Sequence, residues 1–138
     1  MTGEHARGLI DTNVVIHLAA LDPARLPDEM VISAVTLAEL SAGPLHTDDA
    51  EERARRLSVL QHAEATFDPL PFDAEAARVF GRVSAAVLAT GRTPRRRVAD
   101  LLIAATAVAN GLPLYTTNPA DFFGLGRLLA VVPLPRPS

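Results

Sequence analysis

Short, almost wholly apolar runs recur along this chain, each too brief for a helix, with stretches of helical period between them. Gly8-Leu9-Ile10 runs into Asp11-Thr12-Asn13, and Met30-Val31-Ile32 ends at Ser33. Leu114 to Thr116 opens onto the turn Asn118-Pro119-Ala120-Asp121, and Leu128 to Val132 is the last such run. Runs of this kind suit strands buried on both faces, and strands separated by helices pair in parallel. The expected fold class is therefore α/β: three layers, with a mostly parallel central sheet and helices on both faces, in a single domain over residues 1–138. Ligands of such sheets gather beyond the carboxyl ends of the strands. Asp11, Asn118 and Asp121 all follow strand-like runs at that edge.

The intervening segments read as helices with definite ends. Val14 to Leu21 stops before Pro23, and Thr36 to Leu40 is closed by Ser41-Ala42-Gly43-Pro44. Asp49 to about Ala65 is capped by Thr47 or Asp48, with Leu57 and Leu60 marking its apolar side. Phe67 to Phe72 holds two prolines and reads as an edge strand or an extended connection. Asp73 caps a helix whose Ala77, Phe80, Val83, Ala86, Val87 and Leu88 face the core. After the basic loop Arg92 to Arg97, the helix Ala99 to Asn110 is apolar almost all round, as a helix packed on both sides must be.

Composition removes several chemistries. Cysteine is absent, which excludes disulfides, thiolate metal sites and a thiol nucleophile. Lysine is absent too, so Schiff-base chemistry and a phosphate-binding Walker lysine are excluded. With a net charge of −3 the chain is no polycation, and any contact with nucleic acid must be local. The polar opening MTGEHARG and the interrupted run Val98 to Leu114 point to a cytoplasmic protein with no signal peptide and no membrane span.

Four acidic residues stand where their surroundings are apolar: Asp11, Glu39, Asp100 and Asp121. Each alone has an ordinary reading. Asp11 and Asp121 can cap turns, Glu39 can face solvent, and Asp100 can serve the helix dipole. Together, at one edge of a parallel sheet, they would repel one another unless a cation neutralised them. An all-oxygen set of this kind suits Mg²⁺ or Mn²⁺, one or two ions. Such ions assist in-line displacement at a phosphodiester. Histidines 5, 17, 46 and 62 are too scattered to compete as ligands.

The segments Leu9-Ile10-Asp11-Thr12-Asn13-Val14, Ile32-Ser33 to Thr36-Leu37-Ala38-Glu39-Leu40, Asp100 to Ala107, and Thr116-Thr117-Asn118-Pro119-Ala120-Asp121-Phe122 resemble, in order, the motifs of PIN domains. The similarity is strongest to VapC toxins of type II toxin–antitoxin systems and runs from Gly8 to Val132. It implies a metal-dependent endoribonuclease that leaves a 5′-phosphate and a 3′-hydroxyl. It also implies inhibition by a VapB-like antitoxin and assembly as a homodimer, with tRNA or rRNA as the class of target. Asp11, Glu39 and Asp100 fall on the family's acidic positions, and Asn118 or Asp121 on its fourth. Thr12, Asn13 and Thr116 would orient ligands or substrate, and Arg92, Arg95, Arg96 and Arg97 would meet phosphates.

Other classes fit less well. A phosphoacceptor receiver domain needs a lysine, and a haloacid-dehalogenase-like phosphatase needs an acid where Asn13 stands. A catalytically silent PIN-like protein-binding module is the alternative of a different class. Leu18, Leu37 and Leu40 read either as core or as a face for a second copy or an antitoxin.

Overall fold

The structure, a computed structural model, describes residues 6–137 without the side chain of Arg96. His5 and most of the polar opening therefore lie outside the described residues. Strands β1 (Arg7–Ile10), β2 (Glu29–Val31), β3 (Leu114–Thr116) and β4 (Val131–Pro133) form an all-parallel sheet in the order β2-β1-β3-β4. Helices α1 (Thr12–Ile16), α2 (Ala34–Ala42), α3 (Ala50–Thr66), α4 (Ala74–Ala89) and α5 (Val98–Ala109) cover it. This is the α/β architecture read from the sequence.

The strands are short, and the pleat sends alternate residues to opposite faces. Leu9, Val31 and Leu114 enter one cluster with Val79, Val83 and Val87 of α4 and Leu101 and Ala104 of α5. Ile10, Ile32 and Tyr115 enter the other, with Val14 and Val15 of α1, Leu40 of α2 and Ala63 of α3. Gly8 belongs to this packing: a Cβ there would stand 2.6 Å from a ring carbon of Tyr115. From β1 the chain departs toward β2, and from β3 toward β4 on the other side. A crevice therefore opens beyond the ends of the two central strands.

Local boundaries differ from the sequence reading in instructive ways. Helix α1 starts at Thr12, because the Asp11 carboxylate accepts the Thr12 N–H, and it ends at Ile16, with Leu18–Ala20 continuing as a 3₁₀ turn. Neither Thr47 nor Asp48 caps α3; the Asp49 carboxylate accepts the Glu52 N–H at 3.0 Å. The inward ridge of α3 runs through Val59, Leu60 and Ala63, and Leu57 is exposed. On α4 the buried positions are Ala76, Val79, Val83 and Val87, while Ala77 and Leu88 face outward. One residue is a 100° rotation on a helix, so a small error in phase moves a side chain off the core. Leu70 makes a single parallel bridge to Ser33, so Phe67 to Phe72 is an extended connection at the sheet edge. β4 begins at Val131, and Leu129 packs as buried core ahead of it. Among the described residues no helix is long and apolar enough to cross a membrane.

Candidate active site

Asp11 follows directly on β1 and is only 3% exposed. One carboxylate oxygen accepts the Thr12 N–H at 2.8 Å, and the other accepts the Thr116 hydroxyl at 2.9 Å. The Thr116 oxygen in turn accepts the Asn118 N–H at 3.0 Å. Adjacent strands β1 and β3 are thereby joined at their carboxyl ends. Burial pushes the Asp11 carboxyl above its ordinary range, and the charges of Glu39 and Asp121 add to that. The Thr116 and Thr12 hydrogen bonds pull the other way.

Glu39 reaches the same crevice from α2, where it is exposed. The Thr12 hydroxyl donates to its carboxylate at 2.6 Å. The fully buried Thr36 hydroxyl lies 3.0 Å from the Thr12 oxygen. A hydroxyl has one proton to give, so Thr36 donates to Thr12 while Thr12 donates to Glu39. Thr36 escaped the sequence reading. Its signal was a threonine three residues before Glu39 on the apolar side of a short helix.

Asp100 sits in the first turn of α5. Its carboxyl is pushed up to about 6, first by desolvation and then by repulsion from Asp11, Asp121 and Glu39, with Arg97 acting against the shift. Charges carried by separate elements thus converge on Asp11 and Asp100. Asp121 lies in the 3₁₀ turn Pro119–Phe122 and is ion-paired to Arg97. The Asn118 side-chain oxygen accepts from Arg136, a residue the sequence reading did not single out.

A cleft of about 620 Å³ leads into the crevice, lined by Asp11, Thr12, Asn13, Glu39 and Asp100 on one side. Glu52, Arg55 and Arg56 of α3 line it further out. Arg55 and Arg56 both donate to Glu52 and hold its carboxyl below the ordinary range. The sequence reading singled out none of these three. The arginines of the basic segment divide. Arg97 faces Asp121, whereas Arg92 donates to the Ala120 carbonyl at 3.1 Å and lies over the Phe123 ring. Arg95 is exposed, and the side chain of Arg96 lies outside the described residues.

Among the described residues, no group of three or more His, Asp or Glu side chains is placed to hold a metal ion unaided. The donor chemistry nevertheless suits a hard cation. It is all oxygen, it is partly desolvated, and its mutual repulsion raises Asp100. Mg²⁺ keeps several waters and takes one or two carboxylates, so it needs no closed protein cage.

Known proteins share this arrangement of fold and sequence. The PIN domain family matches residues 8–127. Ribonuclease VapC5 of Mycobacterium tuberculosis is 38% identical over 134 residues, covering 95% of this chain and 96% of that protein. The tRNA(fMet)-specific endonuclease VapC of Shigella flexneri is 31% identical over 127 residues, covering 87% of this chain and 92% of that protein. A crystal structure of VapBC-5 from M. tuberculosis, a member of the VapBC family of toxin–antitoxin systems, matches with a TM-score of 0.80 at 37% identity. The match covers 95% of this chain and 99% of that one. This chain therefore belongs to the PIN-domain family and, within it, to the VapC group.

Proposed function

We propose that the protein is a metal-dependent endoribonuclease that acts as the toxin of a VapBC-type toxin–antitoxin pair. The observation that carries the reading is the placement of Asp11, Glu39 and Asp100 on one cleft at the edge of a parallel sheet, with Asp121 near enough to add to the repulsion on Asp11 and Asp100. The names of the VapC relatives support the reaction, and the VapBC structure supports an antitoxin partner.

Asp11 and Asp100 would hold Mg²⁺ or Mn²⁺, one or two ions, with Glu39 and Asp121 completing the set directly or through water. When bound, the ion supplies Lewis-acid polarisation of the scissile phosphate and acidifies water. The residues of this chain supply the rest. Thr116 and the Thr12 N–H fix both oxygens of Asp11, and the Thr36–Thr12 relay fixes Glu39. Carboxylates held this way need little reorganisation as charge shifts. Arg97 holds Asp121 in an ion pair, so an ion drawing on Asp121 would compete with that guanidinium. Water attacks phosphorus in line, the bond to the 3′ oxygen breaks, and a 5′-phosphate and a 3′-hydroxyl result.

RNA is the proposed substrate, and tRNA is the class to try first, given the name of the Shigella flexneri relative. The protein would work in the cytoplasm as a homodimer. The test is cleavage of labelled total RNA by antitoxin-free protein, comparing Mg²⁺, Mn²⁺ and EDTA, with Asp100→Asn prepared identically. Discrete fragments that need metal and vanish in the variant support the reading. Intact RNA with every metal, from well-folded protein, overturns it in favour of a binding module.

A further inference from the structure

A second cleft, of about 320 Å³, opens on the other side of Asp121. Asp121 and Arg97 line it on the side of the acids, Val87 and Leu101 form its apolar floor, and Arg92 and Phe123 stand at its mouth. Phe123 is 58% exposed, although its neighbour Phe122 is buried. Among the described residues it is the one aromatic side chain left open to this degree. It is also firmly carried. Gly124 follows at φ +91°, and a Cβ there would stand 2.5 Å from the Thr90 methyl, so the turn presses against the end of α4. The guanidinium carbon of Arg92 lies 4.7 Å from the Phe123 ring centroid. One Arg92 N–H is used on the Ala120 carbonyl, and its remaining donors are available to phosphate oxygens.

An open ring on a tight turn, a cation stacked against it, and a short apolar pocket behind it have a chemistry in common. Unpaired bases stack on aromatic rings and arginine planes, and the adjoining phosphates go to guanidinium groups. We propose that this cleft receives one unstacked base of single-stranded RNA, seated on Phe123 and Arg92, beside the phosphate that is cut. The inference rests on the nuclease reading and adds a subsite to it. Charge complementarity favours RNA here, because Arg92 spends its hydrogen bond on a neutral carbonyl and keeps its charge for a phosphate.

The test is a chemical double-mutant cycle, in Mg²⁺ and on an Asp100→Asn background that binds without cutting. Short single-stranded RNAs that the wild-type protein cleaves are each given one abasic ribose, at successive positions around the cleavage point. In the parent one abasic position weakens binding by roughly 10-fold, the scale of a lost base–aromatic stack. Phe123→Ala weakens the intact RNA by a similar factor and abolishes sensitivity to that one position, while Phe123→Trp keeps the sensitivity. Unchanged binding by Phe123→Ala, or an equal loss at every position together with a lowered Tm, overturns the subsite and leaves the nuclease standing. A Phe123→Ala defect confined to antitoxin binding likewise overturns it in favour of a protein-facing role. If the wild-type protein cleaves no RNA, the nuclease reading and the subsite fall together.

Discussion

With its carboxyl at about 6 in the folded protein against 3.8 as its ordinary value, Asp100 takes up a proton in the fold that it does not hold in the unfolded chain across that window. The folded state binds more protons there, so stability falls as pH rises from about 4 through 6, and the full cost remains at neutral pH. Asp100→Asn removes the cost. In EDTA at pH 7.5 it should raise stability by about 1 kcal/mol, discounted for partial exposure, or a few degrees in Tm. At pH 4 the difference should shrink to a small fraction of that; thermal melts of both proteins at the two pH values check this. The same variant should lose cleavage, because the repulsion that costs stability in EDTA is what attracts a cation. Thr116 acts in the opposite sense. Thr116→Val leaves an oxygen of the buried Asp11 without its hydroxyl donor, which should cost about 1–3 kcal/mol and lower cleavage by roughly 10- to 100-fold. Thr116→Ser should restore most of both, as read by urea denaturation and initial rates.

At the scale of elements, the helices do unequal work. α5 carries Asp100 and is buried along most of its length, so it places the carboxylate rigidly. α4 supports α5 through Val79, Val83 and Val87 and brings no acid to the crevice. Its start rests on Asp73, whose carboxylate accepts the Ala76 N–H at 3.0 Å. Asp73→Ala should therefore cost about 1 kcal/mol and leave kcat/KM for RNA unchanged where the protein is folded. A matching loss of activity would show that α4 tunes the site and is more than a support. The tight contact of β1 with its neighbour gives a sharper case. Gly8→Ala drives a methyl against the Tyr115 ring, and neither strand has room to move in a sheet covered on both faces. Overpacking of this kind should cost about 1–3 kcal/mol, measured by denaturant midpoint.

Over the whole molecule, the four carboxylates join pieces of chain that are distant in sequence: the end of β1, α2, α5 and the turn after β3. A cation held among them would link these pieces in the folded state only. Saturating Mg²⁺ or Mn²⁺ should then raise the Tm of the wild-type protein by mass action, and leave that of Asp100→Asn nearly unmoved. Equal shifts in the two proteins would place the ion elsewhere. The overall charge of −3 leaves room for a local cation, since Arg92 lines the second cleft and its hydrogen bond goes to a neutral carbonyl.

Periodicity, capping and residue type are local properties, and they were legible in the chain. The continuous apolar strands implied a parallel sheet, Asp73 announced the start of α4, and the acids at 11, 39, 100 and 121 stood out against apolar neighbours. Which groups touch is another matter, because it depends on strand order and on the rotational phase of each helix. The hydroxyl relay from Thr36 through Thr12 to Glu39 spans 27 residues at its longest step and exists only because α1 and α2 meet beyond β1. The pairing of Arg97 with Asp121 likewise awaits the packing of α5 beside the turn after β3. The split between Phe122 and Phe123, one buried and one open, follows from a turn pressed against α4. Local pattern thus specifies the layers and where the acids stand along the chain, while their partners follow from packing, because contacts across such separations do not depend on local preference.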